Sequence, residues 1–133
     1  MDKTTLIEKA FIAKEKAYAP YSKFRVGAVL VTKDGKIYEG ANVENASYGL
    51  SMCAERTAAF AAKLDGASEF ETIVITSDSN DFTYPCGACR QVLVEICGED
   101  LEVILARRDG VIKSFKLKEL LPYSFGKKQL NDK

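Results

Sequence analysis

Two stretches of this chain gather side chains suited to metal binding and proton transfer: Cys53-Ala54-Glu55-Arg56, and Pro85-Cys86-Gly87-Ala88-Cys89-Arg90-Gln91. Each sets a cysteine at the start of a helix-spaced segment, where free N–H groups and the positive end of the helix dipole favour thiolate, the form that binds metal. The Cys-x-x-Cys spacing brings Cys86 and Cys89 onto one ion, and Gly87 eases the tight first turn between them. Cys53 then supplies a third ligand from a separate helix. The fourth cysteine, Cys97, falls roughly 12 Å along the helix from Cys89 at ~1.5 Å per residue, too far to join them, and is expected to pack as a small apolar side chain. Three protein ligands leave one coordination position open, as in catalytic zinc sites, whereas a structural zinc closes its tetrahedron with four.

Glu55 stands two residues from Cys53 and outside the ligand set. A carboxylate there can take a proton from water at the open position and pass it to a substrate. Three thiolates give zinc a net negative charge, which makes its water less acidic, so a cation has to compensate. Arg56 is the expected thiolate partner, and Arg90, directly after Cys89, is a second candidate. Soft thiolates select zinc over magnesium or calcium. A Cys-x-x-Cys pair alone would also fit a redox dithiol or half of a structural zinc site. A structural zinc module serving as an interaction surface is therefore the non-enzymatic alternative, and Glu55 and the missing fourth ligand argue against it. The chain has no histidine, which removes Ser-His and Cys-His nucleophiles and histidine ligands.

The elements that must hold these residues read as follows. Positions 4–17 carry Leu6, Ile7, Ala10, Phe11, Ala13 and Ala17 at spacings of three and four, a helix with Thr4 or Thr5 as its cap, stopped by Pro20. Apolar runs at 26–32 and 37–43 flank Asp34-Gly35, a hairpin signal. Helices are expected over 52–64, ending at Asp65-Gly66, and over 87–96, with a buried strand at 72–76 between them. Strands at 101–106 and 111–117 are joined too tightly for a parallel crossover and should pair antiparallel; a helical turn at 118–121 and a solvated tail with Lys127-Lys128 follow. Helices alternating with strands imply an α/β fold with helices on both faces of a central sheet.

The 133 residues fit one domain, 1–133, and with 47% hydrophobic and 29% charged residues the balance is globular. Nineteen basic side chains offset nineteen acidic ones, so the basic stripe of a nucleic-acid binder is missing and no nucleic-acid partner is expected. The stretch 1–10 lacks the pattern of a secretory signal, and no apolar run nears the ~20 residues of a membrane span. A cytoplasmic location with no membrane partner is the expectation, a setting in which thiols stay reduced.

Taken together, Cys-Ala-Glu and Pro-Cys-x-x-Cys resemble the signature of zinc-dependent nucleoside and nucleobase deaminases. The chain is most similar to the small homotetrameric cytidine deaminases, through Tyr18-Ala19-Pro20-Tyr21-Ser22-Lys23-Phe24, Val26-Gly27-Ala28, the run from Gly40 to Tyr48, Cys53-Ala54-Glu55-Arg56-Thr57, Pro85 to Gln91, and Leu120 to Phe125. The resemblance implies a three-layer α/β/α sandwich around a five-stranded mixed sheet, one zinc per subunit, and a free pyrimidine nucleoside as substrate. It implies attack of zinc-bound hydroxide on C4 after Glu55 protonates N3, releasing ammonia in pyrimidine salvage. Asn42 and Glu44, alternating on the second strand, are expected to bond the ribose 3′ hydroxyl. Phe24 is expected to pack on the ring, and Ala54 with Glu55 to read the amide edge of the base. Phe125 and the loop bearing Tyr48 are expected to reach a neighbouring subunit's site in a homotetramer. An aminonucleoside antibiotic is the alternative substrate, against which the Asn42 and Glu44 pair speaks.

Overall fold

A computed structural model describes residues 2–131. Helix α1 spans Lys3–Lys14, and its cap is Asp2, whose carboxylate accepts from the Thr5 N–H at 2.8 Å, in place of the threonines expected from the sequence. An aspartate two positions before Thr4 satisfies the orphan donors of the first turn in the same way and adds a favourable charge at the positive helix end. Strands β1, Val26–Thr32, and β2, Ile37–Ala41, form the expected antiparallel hairpin. A short 3-10 turn at Tyr48–Leu50 leads to helix α2, Ala54–Leu64, strand β3, Phe70–Ser77, and helix α3, Gly87–Cys97. Strands β4, Glu102–Ala106, and β5, Ile112–Lys116, pair antiparallel as expected. Helix α4, Leu117–Leu120, follows, and Lys127–Asn131 forms a short helix, α5, where the sequence suggested only a tail.

The sheet runs β2-β1-β3-β4-β5, with β3 and β4 parallel and the other neighbours antiparallel, the five-stranded mixed sheet that the resemblance implied. Alternation along β1 divides the core. Ala28 and Leu30 face α2 and α3 in one cluster with Ile73, Ile75, Val103 and Leu105; Val29 and Val31 face α1 in another with Leu6, Ala10, Val74 and Ile104. Strands covered on both sides need near-continuous apolar sequence, and β3 has it in Ile73-Val74-Ile75. Removing the wholly buried Leu30 side chain would cost about 2–5 kcal/mol in transfer and cavity terms. The layers place α1 on one face and α2 with α3 on the other, so the two helices carrying the chemical motifs lie side by side with their N-terminal cysteines together.

Strand β2 is shorter than expected. Asn42 leaves the ladder and turns its amide to the segment before β1, accepting from Val26 N–H at 2.8 Å and donating to the Phe24 carbonyl at 2.9 Å. Asn42 and Glu44 therefore alternate in an extended segment just past the strand, not within it. Val43 between them holds single bridges to Tyr18 and Met52.

Candidate active site

Cys53 is the N-cap of α2 and Cys86 the N-cap of α3, so both sulfurs sit where the helices leave N–H groups unsatisfied. The Cys86 sulfur accepts from Cys89 N–H at 3.4 Å. The sulfurs of Cys53 and Cys86 are 3.8 Å apart, those of Cys86 and Cys89 3.3 Å, and all three lie within 4.8 Å of one another. Tetrahedral zinc with bonds of about 2.3 Å requires sulfur separations of about 3.8 Å, so the donor set fits a zinc ion in both element and spacing. Among the described residues this group of three is joined by no fourth His, Cys, Asp or Glu ligand. Cys97, packed against the main core, is outside it, and burial pushes its thiol up to about 12.

The electrostatics favour thiolate at Cys53. A hydrogen bond from Cys89, reinforced by Arg56 and Cys86, draws the Cys53 thiol down to about 5, and Cys89, as the donor in that pair, is pushed upward. The Arg56 guanidinium donates to the Cys53 sulfur at 3.4 Å, and its own ionisation is held above the usual arginine range by that thiolate. Its Nε is buried without a hydrogen-bond partner among the described residues. Arg90 is turned elsewhere: Nε donates to the Pro85 carbonyl and a terminal nitrogen to the Leu120 carbonyl, each at 2.7 Å, so it ties the turn before Cys86 to α4.

Glu55 is 3% exposed on the first turn of α2, and burial raises its carboxyl to about 7, with the Cys53 charge adding to the rise. A carboxyl that ionises near neutrality can both accept and donate a proton. It opens into a cleft of about 300 Å³ lined by Phe24, Val26, Asn42, Glu44, Met52, Cys53, Ala54, Tyr84 and Cys86, among others. The structure thus brings Glu55, Ala54 and two of the cysteines together with Phe24, Asn42 and Glu44.

Glu44 has a second set of contacts that its spacing gave no sign of. Its carboxylate accepts from the backbone N–H groups of Tyr21 and Ser22, both at 3.1 Å, and from the Ser22 hydroxyl, and these bonds hold it below the usual carboxylate range. Ser22 Oγ in turn accepts from Phe24 N–H at 3.0 Å, so the loop carrying Phe24 is folded around Glu44. Tyr48, 76% exposed, stacks edge-on to Tyr21 and lines an adjoining hollow with Ser22, Glu44 and Ser51. Phe125, 57% exposed, is not part of this cleft wall, and its carbonyl is held by Gln91 at 2.7 Å.

The pattern described as "cytidine and deoxycytidylate deaminase zinc-binding region" matches residues 1–105. The chain belongs to the cytidine and deoxycytidylate deaminase family. It is 48% identical over 132 residues to the cytidine deaminase of Halalkalibacterium halodurans, covering 99% of this chain and 100% of that one. It is 44% identical to the cytidine deaminase of Sporosarcina psychrophila, with 98% and 96% covered. Among solved structures, the cytidine deaminase of Burkholderia pseudomallei superposes with a TM-score of 0.91 at 50% identity, covering 94% of this chain and all of that one. The Mycobacterium tuberculosis enzyme gives 0.83 at 36%, with 95% and 98% covered. These family members share the three-layer α/β sandwich described above.

Proposed function

We propose that this chain hydrolyses the exocyclic amine of cytidine and deoxycytidine, releasing ammonia and leaving uridine or deoxyuridine. The observation that carries the reading is the buried Glu55 carboxyl, opening beside the three-cysteine cluster into a cleft large enough for a small molecule. When bound by Cys53, Cys86 and Cys89, one zinc per subunit supplies an activated water nucleophile that is scarce at neutral pH.

The remaining work falls to the protein. Glu55, ionising at about 7, takes a proton from the nucleophile and gives it to ring N3, then takes the proton of the new C4 hydroxyl and gives it to the departing amine. The free N–H of the first turn at Ala54 and the Glu55 carboxyl read the amide edge of the base, and Phe24 packs on its face. Asn42 keeps one Nδ2 hydrogen and Glu44 a lone pair on Oε2 beyond their bonds to the loop, enough to hold a ribose hydroxyl. Arg56 offsets thiolate charge so that the ion remains a strong acid. Salvage of pyrimidine nucleosides in the cytoplasm by a homotetramer with shared sites completes the reading.

Ammonia release measured on cytidine, deoxycytidine, cytosine and an aminonucleoside antibiotic tests this directly. Turnover of both nucleosides is expected; turnover of the antibiotic or the base alone would replace the substrate. Glu55→Gln should keep its zinc and lose about 10²- to 10⁴-fold in kcat.

A further inference from the structure

We infer that Gly40 is a positioning residue for the deamination proposed above: its missing side chain lets the first turn of α2, and with it Glu55, rest directly on the backbone of β2. Gly40 pairs with Ala28 of β1 and shares the sheet face that α2 covers. A Cβ at position 40 would lie 2.2 Å from the Ala54 carbonyl oxygen and 2.6 Å from the Ala58 nitrogen. Those two atoms belong to the opening turn of α2, and both are backbone, so no rotamer change relieves the overlap. Glycine within a strand marks a place where another backbone comes close, and here that backbone is the catalytic helix.

The contact bears on the chemistry because of which peptide it touches. The Ala54 carbonyl belongs to the peptide unit that carries the Glu55 N–H, one residue after the Cys53 cap. Carbon and oxygen need about 3.3 Å, so any side chain at 40 moves that peptide by about 1 Å away from the sheet. Cys53 and Glu55 both hang from this turn, while Cys86 and Cys89 hang from α3. The displacement would separate the proton carrier and one sulfur from the other two sulfurs, and misplacements of this size cost up to ~10²-fold in rate.

The protein supplies its own control. Gly27 on β1 stands in the same relation to α1, where a Cβ would lie 2.2 Å from the Ala10 carbonyl oxygen and 2.6 Å from the Lys14 nitrogen. Helix α1 contributes no residue to the cleft wall or the cysteine cluster. Gly27→Ala and Gly40→Ala therefore impose equal overlaps on opposite faces of the sheet, and only one of them touches the helix bearing Glu55.

The experiment compares kcat, KM, melting temperature and cobalt(II) binding, read from the cobalt–thiolate charge-transfer band, in the unmodified zinc or cobalt protein and in both variants. Both should melt earlier. Gly40→Ala should lose at least ~10-fold in kcat and bind cobalt more weakly, with Gly27→Ala within about threefold of the unmodified protein in both. Equal kcat and equal cobalt binding in the two variants would overturn the inference. If Gly40→Ala does not fold, Ala58→Ser enters the same contact from the helix side and is held to the same thresholds. If the unmodified protein turns over no nucleoside, the deaminase reading fails separately. The inference then stands or falls on whether cobalt binding weakens in Gly40→Ala and not in Gly27→Ala.

Discussion

A carboxyl that must ionise while buried is a burden on the fold. Glu55 rises from an ordinary glutamate value of 4.5 to about 7, so the folded metal-free chain holds a proton there that the unfolded chain releases. Its contribution is therefore most favourable below pH 4.5 and is lost as pH rises through 7, where burial of the charge costs about 3 kcal/mol. Glu55→Gln should accordingly raise the melting temperature of the metal-free protein at pH 8 and change it little at pH 5; equal effects at both would remove the explanation. Arg56 bears the opposite duty. Arg56→Ala should weaken zinc binding by about 10- to 100-fold in competition with a chromogenic chelator, and leave the fold intact. Both residues were legible in the sequence because their spacing from Cys53 has chemical meaning. The bonds of Glu44 to Tyr21 and Ser22 were not, since they join a loop to a segment about twenty residues away by contacts that no local pattern encodes.

At the scale of elements, the periodic segments were legible and their ends were not. The hairpin, the buried β3 and the two helices follow from apolar spacing. The Asp2 cap, the early end of β2 at Ala41 and helix α5 depend on which of several similar residues takes a particular hydrogen bond. The junction of α1, β1 and β3 shows how such choices matter. Asp78, just past β3, accepts from Arg25 N–H at 2.8 Å, from two guanidinium nitrogens of Arg25 at 3.0 Å and from Lys14 at 2.9 Å, and Arg25 follows Phe24 of the cleft. Arg25 above all, with Lys14, holds the Asp78 carboxyl well below the usual carboxylate range. A depressed folded value means stability that is complete above about pH 4 and is lost as pH falls through the folded ionisation. Asp78→Asn should lower the melting temperature by several degrees at pH 7, a gap that narrows as the medium is acidified below pH 3; a constant gap would show that the loss is not one of charge. Lys14, with a side chain 8% exposed, would be left buried without its main partner, which is the larger part of the penalty.

For the whole molecule, Phe125 and Tyr48 stand exposed and outside the wall that contains Glu55. If sites are shared, mixing inactive Glu55→Gln chains with impaired Phe125→Ala chains should restore activity above the sum of the two, because some sites combine an intact Glu55 with an intact Phe125. Purely additive rates after subunit exchange would place Phe125 in the site of its own chain. The cysteine cluster has one more consequence, and it concerns the chain as a polymer. Cys53 and Cys86 lie 33 residues apart, and the segment between them contains α2, β3 and the loop that follows. An ion held by both sulfurs would bind the folded chain and not the unfolded one, so its binding free energy would become folding free energy for the segment between them. A chelator would then take away more than the acid that activates water. It would remove the one tie between the starts of α2 and α3 that could stand in for a disulfide, since all four described cysteines are free.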